Sequence, residues 1–341
     1  MKRTRTRTRT LALALVAASF LSHTGPASAL SGVDDPSRAS FYNAFKGKRV
    51  VFIPLGMGLD LTQAWAGVMR RQAETLGYKF DVRDPNWSTE AGAQALTQVI
   101  TEKPDIIVVH NPDIQVYAKL LQKAQAAGIY VLQINLKSAY PTEAFIGPDW
   151  VALGQKVAQL AVDKCSPKNG GSGKVAVIQL TLTAASNIYQ MKGVQDVLAK
   201  NPDIKLVSEQ SGDTDANKTR ALAATVLQQN PDLCAFVGGW DGSDIGAVAA
   251  IKEAGKTGKV GFFTSGGGEQ TQCDKLKDGG WTAYVSYNAS LQGRDLNTMI
   301  KYLFQAKPPV GTIKTNLFND LIVIDKDHQR ANACFAAKDV L

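Results

Sequence analysis

The sequence predicts an α/β protein made of two doubly wound units, each with its own parallel sheet. Three observations carry that expectation. Short β-branched runs such as "RVVFIPL" (49–55) and "PDIIVVHNPD" (104–113) show no polar alternation, as expected of strands covered on both faces. Each run is followed by a stretch of helical length and spacing. The series then restarts near residue 173: a Pro-Asp pair comes 56 residues after Lys48 (Pro104) and another comes 57 residues after Lys174 (Pro231).

In chain order, the first stretch is a leader. "MKRTRTRTRT" carries five positive charges and no acid, "LALALVAASFL" is a short apolar stretch, and Ala27-Ser28-Ala29 closes it. Basic region, apolar stretch and A-x-A site together predict a secretory signal peptide over 1–29, cleaved after Ala29. The apolar stretch is about half of the ~20 residues that a spanning helix needs. Removing the leader lowers the formal charge from +8 to about +3, so the high pI belongs mostly to the leader. No clustered basic stripe follows, and no nucleic-acid partner is expected. About 310 residues remain, more than one core usually sustains. Four cysteines in an exported chain predict the disulfides Cys165–Cys234 and Cys273–Cys334, with four buried thiols as the alternative.

The first unit then reads "RVVFIPL", a helix near 60–76, "YKFDVRD", a helix near 88–102, "PDIIVVHNPD", a helix near 114–127 and "GIYVLQIN" (128–135). A helix from residue 150 leads to the loop "SPKNGGSGK" (166–174). The second unit opens with "GKVAVIQL" (173–180) and a helix near 184–200. "DIKLVSEQS" and a helix near 214–229 follow, then "NPDLCAFVGGWDG", "KVGFFTSGG" and "WTAYVSYN". Units of this kind hold ligands at the carboxyl ends of their strands.

The residues at those ends are polar, neutral and aromatic. A dinucleotide fingerprint is absent from the first βα turn: Gly56 and Gly58 fit, but Leu61 stands where the third glycine belongs. No P-loop, G-x-S-x-G elbow, H-E-x-x-H or His/Cys cluster occurs, so no cofactor, no metal and no catalytic set are expected. Carboxylates are plentiful, which leaves a glycosidase pair open. His110 ends a strand where it would reach a ligand. The candidate ligand-binding residues are Asp60, Thr62, Trp65, Asn111 and Asn135 in the first unit, and Asn187, Trp240, Asp241, Ser265 and Tyr287 in the second. Amides and carboxylates offer paired donors and acceptors to vicinal hydroxyls, and aromatic faces cover C–H patches. Each has a plainer role: Trp65 as core, Asp60 as a helix N-cap, Asn111 and Asn135 as turn formers.

The stretches "GVMRRQAETLGYKFDV", "KPDIIVVHNPD", "FIGPDWVALGQKVAQ", "GVQDVLAKNPDIK" and "LCAFVGGWDGSDIGAVAAIKEAG" resemble the type I periplasmic solute-binding proteins, near the ribose-type sugar and polyol binders that serve ABC importers. The resemblance covers nearly all of residues 47–325. It implies two lobes joined by a three-segment hinge near Asp149, Tyr287-Asn288 and Thr315–Phe318. The lobes are then 30–149 plus 288–317 and 150–287 plus 318–341. It also implies a monomeric periplasmic receptor that closes on a small neutral sugar or polyol and delivers it to an inner-membrane ABC permease, with a chemoreceptor as a further partner. Family contacts fall here on Leu61-Thr62, Asn135-Leu136, Asn187-Ile188, Trp240-Asp241, Phe263-Thr264 and Tyr287. Two arginines of the ribose-type site have no counterpart at these positions, which favours a less polar solute such as a short polyol or deoxysugar. An exported carbohydrate-acting enzyme and the same fold binding a non-carbohydrate molecule are the alternatives.

Overall fold

The computed structural model describes residues 36–330 and 333–336; the expected leader and its cleavage site lie outside them. After a short helix α1 (Pro36–Asn43), the first lobe runs β1 (Arg49–Ile53), α2 (Asp60–Leu76), β2 (Lys79–Val82), α3 (Thr89–Glu102), β3 (Ile106–Val109), α4 (Ala118–Ala126), β4 (Tyr130–Ile134) and β5 (Ala144–Pro148). The second runs α5 (Trp150–Cys165), β6 (Lys174–Gln179), α6 (Ala185–Leu198), β7 (Lys205–Ser211), α7 (Ala216–Gln229), β8 (Ala235–Val237), α8 (Asp241–Glu253), β9 (Gly261–Gly266), α9 (Gln270–Cys273) and β10 (Ala283–Ser286). Helix α10 (Ala289–Ala306) returns to pack on α2, and strands β11 (Thr315–Asn319) and β12 (Ile322–Asp325) end the fold.

Each lobe holds a six-stranded sheet. The orders are β11-β5-β4-β3-β1-β2 and β12-β10-β9-β8-β6-β7, the same winding twice. Period two explains the unbroken apolar runs. Val50, Phe52, Ile106 and Val108 face the core under α2, while Val51, Ile53, Ile107 and Val109 pack on the opposite face against Leu96, Val99 and Leu121. With helices on both sides, no residue of these strands has a solvent face to leave polar.

The repeated Lys and Pro-Asp spacing has a direct structural meaning. Lys48 Nζ lies 2.7 Å from Asp105, and Lys174 Nζ lies 2.7 Å from Asp232. In both lobes the lysine enters the first strand and the aspartate enters its neighbour, so each pair clasps two strands at their amino ends. Being partly exposed, such pairs add little stability. They mark register.

Two features depart from the expectation. The second sheet is not wholly parallel: β12 runs antiparallel to β10, with Ser286 opposite Ile322. The third crossover lies at 320–321 rather than at the expected 317/318 boundary, because β11 stays paired with β5 through Asn319 and Pro148. The chain has only two residues in which to change sheets, so it enters the second one at its edge and reversed. The other crossovers lead into α5 and α10. Asp149 caps α5 by accepting from Val151 and Ala152, and Asn288, at φ 51°, caps α10 by accepting from Leu291. All four cysteines are joined, Cys165 to Cys234 and Cys273 to Cys334.

Candidate functional site

A cleft of about 570 Å³ lies between the carboxyl ends of the two sheets. From the first lobe it receives the turns after β1 (Leu55, Leu59, Leu61), β2 (Trp87), β3 (His110) and β4 (Asn135, Leu136). From the second it receives Leu180 and Thr181 after β6, Asp213–Asp215 after β7, Trp240 after β8 and Tyr287 after β10, with Trp150 at the first crossover. Among the described residues no lysine or arginine lines it. Five leucines and three indoles share it with Ser, Thr and Tyr hydroxyls, His110, Asn135 and the carboxylates of Asp213 and Asp215.

Two tryptophans owe their position to glycine. A Cβ at Gly56 would stand 2.7 Å from the Trp87 Nε1, and one at Gly242 would stand 2.4 Å from the Trp240 ring. Each indole therefore lies flat on bare backbone at the cleft wall. Trp87 also adopts φ 69° after Asn86 at 48°, a left-handed pair that is costly for a bulky residue, and its side chain stays 49% exposed.

Asn135 holds the floor. It is left-handed (φ 58°), its carbonyl accepts from Trp150 Nε1 at 2.9 Å, and its side chain meets both Gln292 and the Tyr287 phenol. Residues just after two crossovers are thus fastened to one first-lobe asparagine.

Of the ten expected ligand-binding residues, the cleft is lined by Asn135, Trp240 and Tyr287. Most of the others are engaged elsewhere. Thr62 donates to the carbonyls of Gly56 and Leu59, shaping the first turn. Asn111 donates to Gln133 and the Leu136 carbonyl, and Asn187 ties down Leu180 and Gln179. Ser265 donates to Gly239. Trp65 is wholly buried in the core. Asp60 is the first helical residue rather than the cap, a place taken by Leu59 without any side-chain bond.

Asp241 lies farthest from the expected arrangement. It is 2% exposed, does not line the cleft, and accepts the Tyr284 hydroxyl at 2.6 Å. It belongs to a buried acidic group with Asp244 and Glu269. Burial, and for Asp241 also the neighbouring carboxylate of Glu269, pushes Asp241 and Glu269 well above the usual range. Asp244 is raised to about 8 by burial, although Thr264 and the Trp240 amide donate to it. None of the groups bearing on these carboxyls is a cation.

The expectation placed Leu61 and Leu136 at the site but did not single out Trp87, Trp150, Leu55, Leu59 or Leu180. Trp87 stands at the turn after β2, "PNWST", the same kind of position that pointed to Trp240. Among the described residues no group of three or more His, Cys, Asp or Glu is placed to hold a metal ion.

Residues 50–308 match the family model described as "Periplasmic binding protein domain". The D-allose-binding periplasmic protein of Escherichia coli is 33% identical over 187 residues, which cover 52% of this chain and 59% of that protein. A xylitol-binding protein of Mycolicibacterium smegmatis is 30% identical over 49% of this chain and 47% of its own length. The chain thus aligns with only about half the length of these relatives. Among solved structures, an ABC transporter solute-binding protein from Burkholderia graminis in complex with D-arabinose superimposes with a TM-score of 0.73 at 19% identity, over 83% of this chain and 96% of that one. A Caulobacter myo-inositol-binding protein gives 0.71 at 21%, over 82% and 92%. At these identities the likeness establishes the fold: two α/β lobes of the periplasmic binding protein type I architecture. With the family model taking in most of its length, the chain belongs to the periplasmic binding protein domain family.

Proposed function

We propose that the protein is an exported, periplasmic receptor that binds a small neutral hydroxylated solute between its lobes and delivers it to an ABC permease, without changing it. The observation that carries this reading is the cleft at the carboxyl edges of both sheets, walled by indoles and leucines and free of lysine and arginine. An anionic solute would find no counter-charge there. A solute with one apolar face and a few hydroxyls would find Trp87 and Trp240 for stacking and Asn135, Tyr287 and Thr181 for hydrogen bonds. Relatives named for D-allose and xylitol support the solute class. Binding rather than chemistry is supported by the engagement of the carboxyls: Asp241 and Asp244 are bonded away from the cleft, and of the two that line it Asp215 caps α7 and Asp213 accepts from the Thr181 hydroxyl.

The leucine wall favours a solute less hydroxylated than a hexose, such as a deoxysugar or short polyol. Calorimetry and X-ray scattering with D-allose, D-ribose, D-arabinose, xylitol and myo-inositol test the reading. The expected result is binding with compaction and recovery of intact solute. Trp240→Ala should weaken it at least tenfold while the melting curve stays unchanged. Absence of compaction with every solute, or recovery of an altered one, would sink the proposal.

A further inference from the structure

His110 ends β3 at the cleft wall, its amide bonded to the Ile53 carbonyl at 3.0 Å. The residue is 3% exposed, and neither ring nitrogen has a hydrogen-bond partner among the described residues. Trp65 packs edge-on against the ring, with centroids 5.2 Å apart at 84°. A buried imidazole with both nitrogens unpaired is costly, and buried polar groups are rarely left so. The ring is also neutral: burial pushes it down to about 3. It therefore presents one N–H and one lone pair.

Resting on the reading of the cleft as a solute site, we infer that His110 is a ligand-contacting residue that selects a hydroxyl on the bound solute. A hydroxyl both donates and accepts, so one that reaches the ring satisfies either nitrogen in either tautomer. A carboxylate accepts only, and no lysine or arginine lines the cleft to balance its charge. A methyl or methylene at this place would leave the imidazole as unpaired as before. His110 thus divides hydroxylated solutes from their deoxy counterparts at one position, while the indoles grip the carbon skeleton.

The chain has three histidines: His23 in the expected leader, His110, and His328, which is exposed and bonded to Asp325. Ring-nitrogen NMR of histidine-labelled protein therefore reads His110 against one internal control. The probe is whichever of D-allose, D-ribose, D-arabinose, xylitol and myo-inositol binds the unmodified protein most tightly. On its addition the His110 ring nitrogens should shift and the His328 resonances should not. By calorimetry, His110→Phe should weaken that probe ten- to a hundredfold, and His110→Gln, which keeps a donor and an acceptor, should recover most of the loss. Tight binding with unmoved His110 resonances, or unchanged affinity in a folded His110→Phe protein, overturns the assignment and leaves the receptor reading standing. Failure of all five solutes to bind the unmodified protein overturns both.

Discussion

The two lobes share a strand order and even a lysine–aspartate clasp, yet they differ in the buried polar groups that they place near the cleft. The first lobe brings to the cleft neutral groups, some with free hydrogen-bonding capacity: His110 has no partner, and Asn135 spans the crossovers. The second buries three carboxyls, of which Asp241 accepts from the Tyr284 hydroxyl and Asp244 from the Thr264 hydroxyl and the Trp240 amide. Both disulfides also lie in the second lobe. The difference teaches that equal topology does not divide the work equally. One half leaves an imidazole unpaired at the cleft wall, and the other gathers its buried carboxyls away from it.

Three experiments press on that contrast. The largest effect is expected from the disulfides. Replacing Cys165 and Cys234 with serine opens a link across 69 residues and should cost about 4 kcal/mol. Urea unfolding followed by hydrogen exchange should show the loss confined to the second lobe. Equal loss in both lobes would break the comparison.

The next concerns pH, where the lobes pull in opposite directions. Between about pH 4 and pH 8 folded Asp244 keeps a proton that the unfolded chain releases, so stability falls as pH rises through that window. His110 does the reverse. Between pH 6.5 and about 3 the unfolded chain takes up a proton that the folded ring refuses, so stability falls as pH drops. Asp244→Asn should therefore flatten the loss between pH 5 and 8, by at most about 1.4 kcal/mol per pH unit. It should leave the acid limb in place, as chemical denaturation across pH would reveal.

The smallest effect belongs to a contact that joins the halves. Lys137, after β4, sits 4.6 Å above the Tyr189 ring of α6. Lys137→Ala should remove roughly 0.5–1 kcal/mol from whichever arrangement brings them together, a two- to fivefold rise in Kd without a change in melting temperature. No change in Kd would show that the contact does not favour the bound state.

Much of this was legible in the sequence. Unalternated runs such as "IIVV" announce doubly covered strands, and the paired Lys and Pro-Asp spacing announces the repeat. Positions at strand ends led to Asn135, Trp240 and Tyr287. Asp241, Thr62 and Asn187 also stand at strand ends yet do not line the cleft, because nothing in a linear sequence says whether a polar side chain turns toward the cleft or back onto its own turn. Asp241 needed Tyr284, 43 residues away, to be seen as engaged. Trp87 was passed over because its turn follows the strand with the weakest apolar pattern, and its position depends on a bare Gly56 in another loop. Strand β12 was hidden for a simpler reason: four residues give no sign of their direction.

The capped starts of α5 and α10 have a mechanical corollary. With Asp149 and Asn288 locking the first turn of each, these helices begin as stiff rods within three residues of the point where the chain leaves a sheet. Any swing of one lobe about the other is thereby concentrated into a handful of backbone torsions beside the caps and at 320–321. Such a joint turns about a defined axle instead of flexing along its length, and small twists there are magnified into large displacements at the cleft's rim.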